Sequence, residues 1–257
     1  MEIISASNER VKGWARLQKK KGRDQRGEFL IEGEHLIEEA MRGGHVKELL
    51  ILKGRQNPFA MEAIVCSEEV MRKLSSSVSG AWLIAVCALK PSAPLPRRRV
   101  VLLDGVQDPG NVGTILRTAC AFGYDQLILS QDCADVLNEK CIRSTQGALF
   151  HLNWQRQDLC EAIAQLQEEG FTVIATALRQ SRPLREVSAG EKTALVFGSE
   201  GQGIRPQVLS LCDQRARIEM DHFESLNVAG GAGGCLHRLR QGPWQGRPHR
   251  GESRLRF

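Results

Sequence analysis

Two apolar runs in the second half of the chain constrain its fold most strongly. Phe171–Ala175 and Ala194–Phe197 show no alternation of polar and apolar residues, which indicates strands that are buried on both faces. Predicted helices separate the first of these strands from a similar apolar run at Val100–Leu103. Because strands that alternate with helices form a mostly parallel sheet covered on each side, we predict an α/β fold.

A proline-rich basic segment divides the chain. Residues 90–99 contain three prolines and end in three arginines, a composition that holds neither helix nor sheet pairing. The residues before it predict a smaller α/β domain that starts with a helix over 8–21, with Val11, Trp14 and Leu17 at helical spacing. We therefore predict four parts: an N-terminal domain at 1–90, a linker at 91–99, a second domain at 100–229 and a Gly/Arg-rich tail at 230–257.

The composition excludes several classes of protein. Hydrophobic residues make up 42% and charged residues 25% of the chain, which is typical of a globular domain and not of a disordered, collagen-like or coiled-coil protein. No run of 18 apolar residues predicts a membrane span, and the first residues do not resemble a secretory signal. The eight cysteines are scattered and never spaced as C-x-x-C, so we interpret them as reduced thiols of a cytoplasmic protein.

The net charge of +5 is a property of the tail. Residues 235–257 hold six arginines and one glutamate, and the rest of the chain is neutral. Residues 1–28 nevertheless carry eight basic groups against four acidic ones. That local excess suits contacts with phosphates, and it equally suits an ordinary solvated helix face, so both interpretations stay open.

Three segments of the second domain place glycines and polar residues after predicted strands, where ligands bind in open α/β sheets. In the first, Asp-Pro-Gly-Asn at 108–111 begins a helix that we expect Asn111 to cap, with Arg117 in its second turn. In the second, a strand enters Gly-Ser-Glu-Gly-Gln-Gly at 198–203, which lacks the order of both common nucleotide-binding loops. In the third, Ser-Leu-Asn-Val-Ala at 225–229 is expected to start a terminal helix.

Together, the three segments resemble in order and spacing the motifs of the SpoU (TrmH-type) family of SPOUT RNA methyltransferases, over residues 100–229. The first 90 residues look like the substrate-binding domain of many members, which resembles a small ribosomal protein that binds RNA. The resemblance implies a parallel sheet whose C-terminal segment is tied into a deep trefoil knot, against the general rule that chains avoid knots. It also implies a homodimer, with the site completed near the subunit interface.

The activity implied by the resemblance is methyl transfer from S-adenosylmethionine to a ribose 2′-hydroxyl of RNA, without a metal. Arg117 matches the residue proposed to activate the hydroxyl, and positioning of the phosphate is an alternative role, because arginine stays protonated in proteins. Asn111 would orient the ribose or Arg117, and three residues would hold the geometry: Glu200, Ser225 and Asn227. Four residues would line the cofactor: Thr176, Gly198, Ile218 and Leu226.

Two other functions compete with this interpretation. A knotted RNA-binding protein with weak or no methyl transfer is suggested by the C-terminus, because four glycines at 230–234 would weaken the terminal helix and leave the tail poorly ordered. A nucleotide-dependent oxidoreductase lacks the dinucleotide fingerprint. The N-terminal domain favours ribosomal RNA over transfer RNA as the substrate.

Overall fold

The computed structural model describes residues 1–77, 80–89, 97–220 and 226–240. Within these ranges the chain forms two β-sheets, one from strands between Glu2 and Ala88 and one from strands between Arg99 and Arg217. No helix in the described ranges is long and apolar enough to cross a membrane.

The N-terminal sheet has five strands: β1 (Glu2–Ile3), β2 (Glu28–Glu32), β3 (Val46–Leu52), β4 (Ala63–Cys66) and β5 (Leu83–Ala88). Their order is β1-β4-β3-β5-β2, with β5 antiparallel to both of its neighbours. Its helices are α1 (Glu9–Ala15), α2 (Lys20–Arg26), α3 (Glu34–Arg42) and α4 (Glu68–Leu74).

The single helix predicted over 8–21 is wrong, because the chain breaks it into α1, a 3₁₀ turn at Arg16–Gln18 and the start of α2. Lys19 has an extended backbone between them. The turn brings Gly22 under the backbone of Arg16, where a β-carbon would lie 2.1 Å from the Arg16 carbonyl oxygen. Only glycine fits there, which the spacing of apolar residues does not reveal.

The second sheet has seven strands: β6 (Arg99–Asp104), β7 (Gln126–Leu129), β8 (Asn153–Arg156), β9 (Thr172–Thr176), β10 (Arg182–Pro183), β11 (Thr193–Gly198) and β12 (Gln214–Arg217). Their order is β10-β12-β9-β11-β6-β7-β8, and every pair is parallel. The helices are α5 (Pro109–Ala121), α6 (Glu139–Thr145), α7 (Leu159–Glu168), α8 (Pro206–Leu211) and α9 (Val228–Leu239).

This second sheet is buried on both faces, as predicted. Along β6, Val101 and Leu103 belong to one apolar core, while Val100 and Leu102 belong to the core on the opposite face. The predicted α/β fold with a parallel sheet is therefore confirmed. The strand order does not define how the chain is threaded, so the trefoil knot stays a prediction.

The structure differs from the predicted boundaries at both ends of the second domain. Residues 91–96 of the predicted linker lie outside the described residues, and Arg99 already belongs to β6. The expectation that the chain is poorly ordered from Gly230 onward is wrong as far as Arg240, because α9 forms there. Its buried residues recur at helical spacing and supply the apolar face that the glycine count obscured: Ala229, Ala232, Cys235, Leu236 and Leu239. Residues 241–257 lie outside the described residues.

The two sheets share one apolar core. Phe29 of β2 stacks on Phe150, with ring centroids 6.3 Å apart. At the same boundary, Arg23 of α2 forms a 2.5 Å ion pair with Asp135, which precedes α6. The N-terminal domain is thus packed directly against the second sheet and its helices.

Candidate active site

The start of α5 is fixed by Asp108 and not by Asn111, which corrects the expected cap. The Asp108 carboxylate accepts a hydrogen bond of 2.9 Å from the backbone N–H of Asn111, and Pro109 occupies the first turn. Lys140 of α6 pairs with the same carboxylate at 2.6 Å and is the main reason that the pKa of Asp108 lies below its ordinary value. With the cap supplied by Asp108, the Asn111 side chain is left to make contacts outside the helix.

The glycine-rich loop after β11 is held at its base by Asp104. Gly198 at the end of β11 pairs with Asp104 at the end of β6, and Arg205 returns to the same carboxylate. Three bonds from Arg205 reach Asp104, from its backbone N–H at 2.7 Å, Nε at 2.7 Å and Nη2 at 2.6 Å. The Asp104 side chain is fully buried, and its hydrogen bond raises the pKa of Arg205. Both ends of the loop are therefore tied to one residue, Gly198 by the pairing of β11 with β6 and Arg205 through the Asp104 carboxylate.

Inside this loop the backbone crosses itself closely. Ser199 and Gly203 exchange backbone hydrogen bonds of 3.1 and 2.9 Å. A β-carbon at Gly198 would lie 2.1 Å from the Gly203 carbonyl carbon, so this crossing requires glycine. Glu200 is consequently carried on a tight loop with a fixed direction.

Asn227 joins the third segment to the other two. Its Oδ1 caps α9 by accepting from the N–H groups of Ala229 and Gly230, at 3.0 and 3.3 Å. Its Nδ2 donates to Glu200 Oε1 at 2.7 Å and to Asn111 Oδ1 at 3.1 Å.

Asn111 closes the triangle, because its Nδ2 donates to the same Glu200 oxygen at 2.9 Å. The structure thus brings together three of the five predicted catalytic residues, which we call the Asn–Glu–Asn cluster: Asn111, Glu200 and Asn227.

The other two predicted catalytic residues are not part of this cluster. Arg117 is exposed, lies six residues beyond Asn111 along α5, and has no hydrogen bond or ion pair with any described residue. Six residues correspond to about one and two-thirds helical turns, so the two side chains leave α5 in different directions. Ser225 lies outside the described residues.

The predicted cofactor-lining residues lie along the same edge of the sheet. Thr176 ends β9 and donates its hydroxyl to the carbonyl of Val196 at 3.0 Å, beside Gly198. Ile218, after β12, is half-buried, and Leu226, before α9, is 50% exposed.

Sequence reasoning missed Leu178, which is 60% exposed two residues beyond Thr176. Leu226 is a second exposed leucine and lies next to glycine backbone, since a β-carbon on Gly231 would be 3.9 Å from Leu226 Cβ. A flat aromatic ring such as adenine fits that chemistry better than a charged group does.

Sequence reasoning also missed the Asp104–Arg205 pair, whose only signal was an acid at the end of an apolar strand.

The cysteines show no reactive environment, since burial raises the pKa of Cys141, Cys212 and Cys235 to about 12. Among the described residues, no group of three or more His, Cys, Asp or Glu side chains is placed to hold a metal ion.

Comparison with known proteins places two family models along the chain. The model of the SpoU rRNA Methylase family matches residues 98–237, and the model of the MRM3-like substrate binding domain matches residues 8–85. The chain is 38% identical over 245 residues to the 23S rRNA (guanosine(2553)-2'-O)-methyltransferase RlmP of Bacillus subtilis (strain 168), an alignment that covers 93% of this chain and 99% of that protein.

Solved structures agree over the same length. An rRNA methyltransferase from Sinorhizobium meliloti with AdoMet bound has a TM-score of 0.82 at 26% identity, covering 93% of this chain and 96% of that one. An RNA 2'-O ribose methyltransferase has a TM-score of 0.79 at 30% identity, covering 93% and 97%. The similarity therefore includes the N-terminal domain as well as the second sheet.

Proposed function

Because this chain belongs to the SpoU rRNA Methylase family, we propose that it transfers the methyl group of S-adenosylmethionine to a ribose 2′-hydroxyl of ribosomal RNA. Membership identifies the chain as an RNA methyltransferase. The observation that carries the proposal is the Asn–Glu–Asn cluster, in which one side chain from each of the three family-like segments meets the other two. The preference for ribosomal over transfer RNA is supported by the name of the Bacillus subtilis relative and by the substrate-binding family model at the N-terminus.

The cofactor is S-adenosylmethionine in this proposal. The apolar edge formed by Ile218, Leu226 and Leu178 fits its adenine, and the backbone of the loop after Gly198 offers polar groups nearby. When bound there, the cofactor supplies a methyl group that its sulfonium already makes electrophilic. The protein then has to align the ribose and promote loss of the hydroxyl proton.

The cluster provides the alignment. Glu200 Oε1 accepts from both asparagines, while Glu200 Oε2 has no partner among the described residues. Each asparagine is also held through its amide oxygen, so the three side chains cannot rotate independently. We propose that Asn111 and the free oxygen of Glu200 orient the ribose hydroxyl, and that Arg117 activates it or holds the adjacent phosphate.

We further propose that the site is completed in a homodimer. The exposed position of Arg117 and the lack of a partner for it in the described part of the chain support this arrangement, since a second copy could bring it to a cluster. Gly230 of α9 faces open space, because no atom lies within 4 Å of where its β-carbon would be. Sedimentation analysis tests the dimer directly.

We also propose a cytoplasmic location, which is supported by eight free cysteines that suit a reducing compartment. The alternative of an inactive RNA-binding protein rested on a disrupted C-terminus. Its basis is removed by α9, which forms and is capped by Asn227.

Methylation of deproteinised bacterial ribosomal RNA with labelled cofactor, followed by nuclease mapping, tests the activity. Arg117→Ala should abolish methyl transfer while the dissociation constant of the cofactor stays within a few-fold. Arg72→Ala, an exposed arginine on α4, is the matched control and should behave as wild type. Near-normal turnover of Arg117→Ala at saturating RNA would remove this arginine from the mechanism.

A further inference from the structure

A cleft with about 120 Å³ open to water-sized molecules lies between the N-terminal domain and α6. One wall comes from the segment around α2 and the end of β2, and the other from the first turns of α6. Leucine and isoleucine side chains form much of its lining, and polar groups project from both walls: Gln18, Arg23 and Glu32 on one side, Asn138, Glu139 and Arg143 on the other. An apolar cleft with a few polar groups is the usual form of a binding site for a flat organic ring.

Arg23 lines this cleft and is held in place by three partners. Its side chain is only 8% exposed, and its terminal nitrogens are occupied by the carbonyls of Leu17 and Gln18 and by Asp135. Its Nε is buried and has no hydrogen-bond partner among the described residues. Its three contacts fix the guanidinium group in the cleft wall.

Two exposed lysines lie close in sequence to residues that line the cleft. Lys19 and Lys21 are exposed and make no side-chain hydrogen bond or ion pair within the described residues. They fall in the sequence between Gln18 and Arg23, which both line the cleft. Two free lysines beside a site that suits a flat organic ring fit a phosphate backbone best.

The opposite wall leads to the candidate active site. Lys140 of α6 contacts Asp108, which caps the helix that carries Asn111. Asn138, Glu139 and Arg143 belong to the same two turns of α6. A ligand lying in the cleft is thus separated from α5 only by the width of α6.

We propose that this cleft binds an unpaired nucleobase of the RNA substrate, near the nucleotide that is methylated. The proposal rests on the proposed function for the identity of the substrate. Glu139 on the α6 wall accepts from base N–H groups, Arg143 donates to ring nitrogens and carbonyls, and the apolar lining stacks on the base. Lys19 and Lys21 hold the phosphates on either side of it.

Charge reversal on the α6 wall tests this assignment. Arg143 pairs with Glu139 at 2.7 Å, four residues earlier on an exposed helix, and Arg72 pairs with Glu68 at the same distance and spacing outside the cleft. Arg143→Glu and Arg72→Glu therefore each reverse one charge and break one ion pair between residues four apart on a helix. The binding of radiolabelled fragments of deproteinised bacterial ribosomal RNA should weaken about tenfold or more for Arg143→Glu. For Arg72→Glu it should stay within about twofold.

Ultraviolet cross-linking of wild type to the same RNA, read by mass spectrometry, locates the base. We expect a nucleotide attached within residues 16–23 or 137–143. The proposal would be overturned if the two variants bound the RNA with equal affinity. It would also be overturned if the cross-links were confined to other segments, because the cleft would then hold only water. Failure of wild type to methylate any of these RNAs counts against the proposed activity alone, since binding and cross-linking are measured without turnover.

Discussion

The glycines of the terminal helix lower its stability, and alanine at two of them should stabilise the second domain. Gly231 and Gly234 lie inside α9, and neither has a positive φ. A β-carbon would lie 3.8 Å from Ile218 Cδ1 at position 231 and 3.6 Å from it at position 234. These are ordinary van der Waals distances, so each methyl group gains a contact without a clash.

The expected gain follows from helix propensity. A glycine inside a helix costs about 1 kcal/mol relative to alanine, largely through the freedom that it retains in the unfolded chain. Gly231→Ala combined with Gly234→Ala should therefore raise the free energy of unfolding by about 1–2 kcal/mol. At about 2–4 °C for each kcal/mol in a protein of this size, Tm should rise by roughly 2–8 °C. Urea denaturation and thermal unfolding followed by circular dichroism measure the two quantities.

Gly113 provides the control, because it is also a helical glycine, in α5. A β-carbon there would lie 2.5 Å from the carbonyl oxygen of Cys141 and 2.7 Å from Ser144 Cβ. Gly113→Ala gains the same propensity but must push α6 away, so it should destabilise the protein. If the α9 double variant is no more stable than wild type, or if Gly113→Ala is equally stabilising, the reasoning from propensity and space is refuted.

Three further predictions follow from contacts at the site and on the N-terminal domain. Asn227→Ala removes the cap of α9 and should lower the free energy of unfolding by about 1 kcal/mol. It should also reduce methyl transfer far more than Asn8→Ala, which removes the cap of α1. Equal activities in the two variants would contradict the role of the Asn–Glu–Asn cluster. Replacing Lys19 and Lys21 with glutamine should weaken RNA binding and reduce its dependence on salt, and an unchanged salt slope would mean that these lysines only face solvent. Because Lys140 holds the pKa of Asp108 below its ordinary value of 3.8, ionised Asp108 stabilises the fold above that pH and the effect is lost as the pH falls through the lower folded value. Asp108→Asn should remove that part of the acid-induced loss of stability, and an identical acid unfolding profile would show that the pair contributes nothing.

Sequence patterns predicted the long buried elements and missed those that depend on tertiary contacts. The strand predicted at Ala194–Phe197 is observed as β11, Thr193–Gly198, because these residues form a continuous apolar run. β8, at Asn153–Arg156, is an edge strand of polar residues and carries no such signal. The four glycines of α9 argued against a helix that packing against α5 nevertheless supports, through residues spaced at helical intervals.

The candidate site was predictable to the extent that its segments resemble those of a known family. Asn111, Glu200 and Asn227 come from positions up to 116 residues apart, and only the fold places them within hydrogen-bond distance. The role of Asp104 was not predictable, since its partner Arg205 lies 101 residues away and an isolated acid at a strand end is common. Arg117 shows the opposite case, in which a motif residue is present but its side chain has no hydrogen-bond or ion-pair partner among the residues that the structure describes.

The core shared by the two sheets means that the N-terminal domain is not an interchangeable module. Cutting the chain between β5 and β6 would leave Phe29 and Ile37 on one fragment and Ile142 and Leu149 on the other, all apolar and all now covered. Exposing such surfaces costs roughly 25 cal/mol for each Å² and invites aggregation of both pieces. Another domain fused in its place would have to present a surface that packs against α6. The specificity of the enzyme for its RNA is therefore expected to evolve by substitutions on a retained domain, and not by shuffling domains.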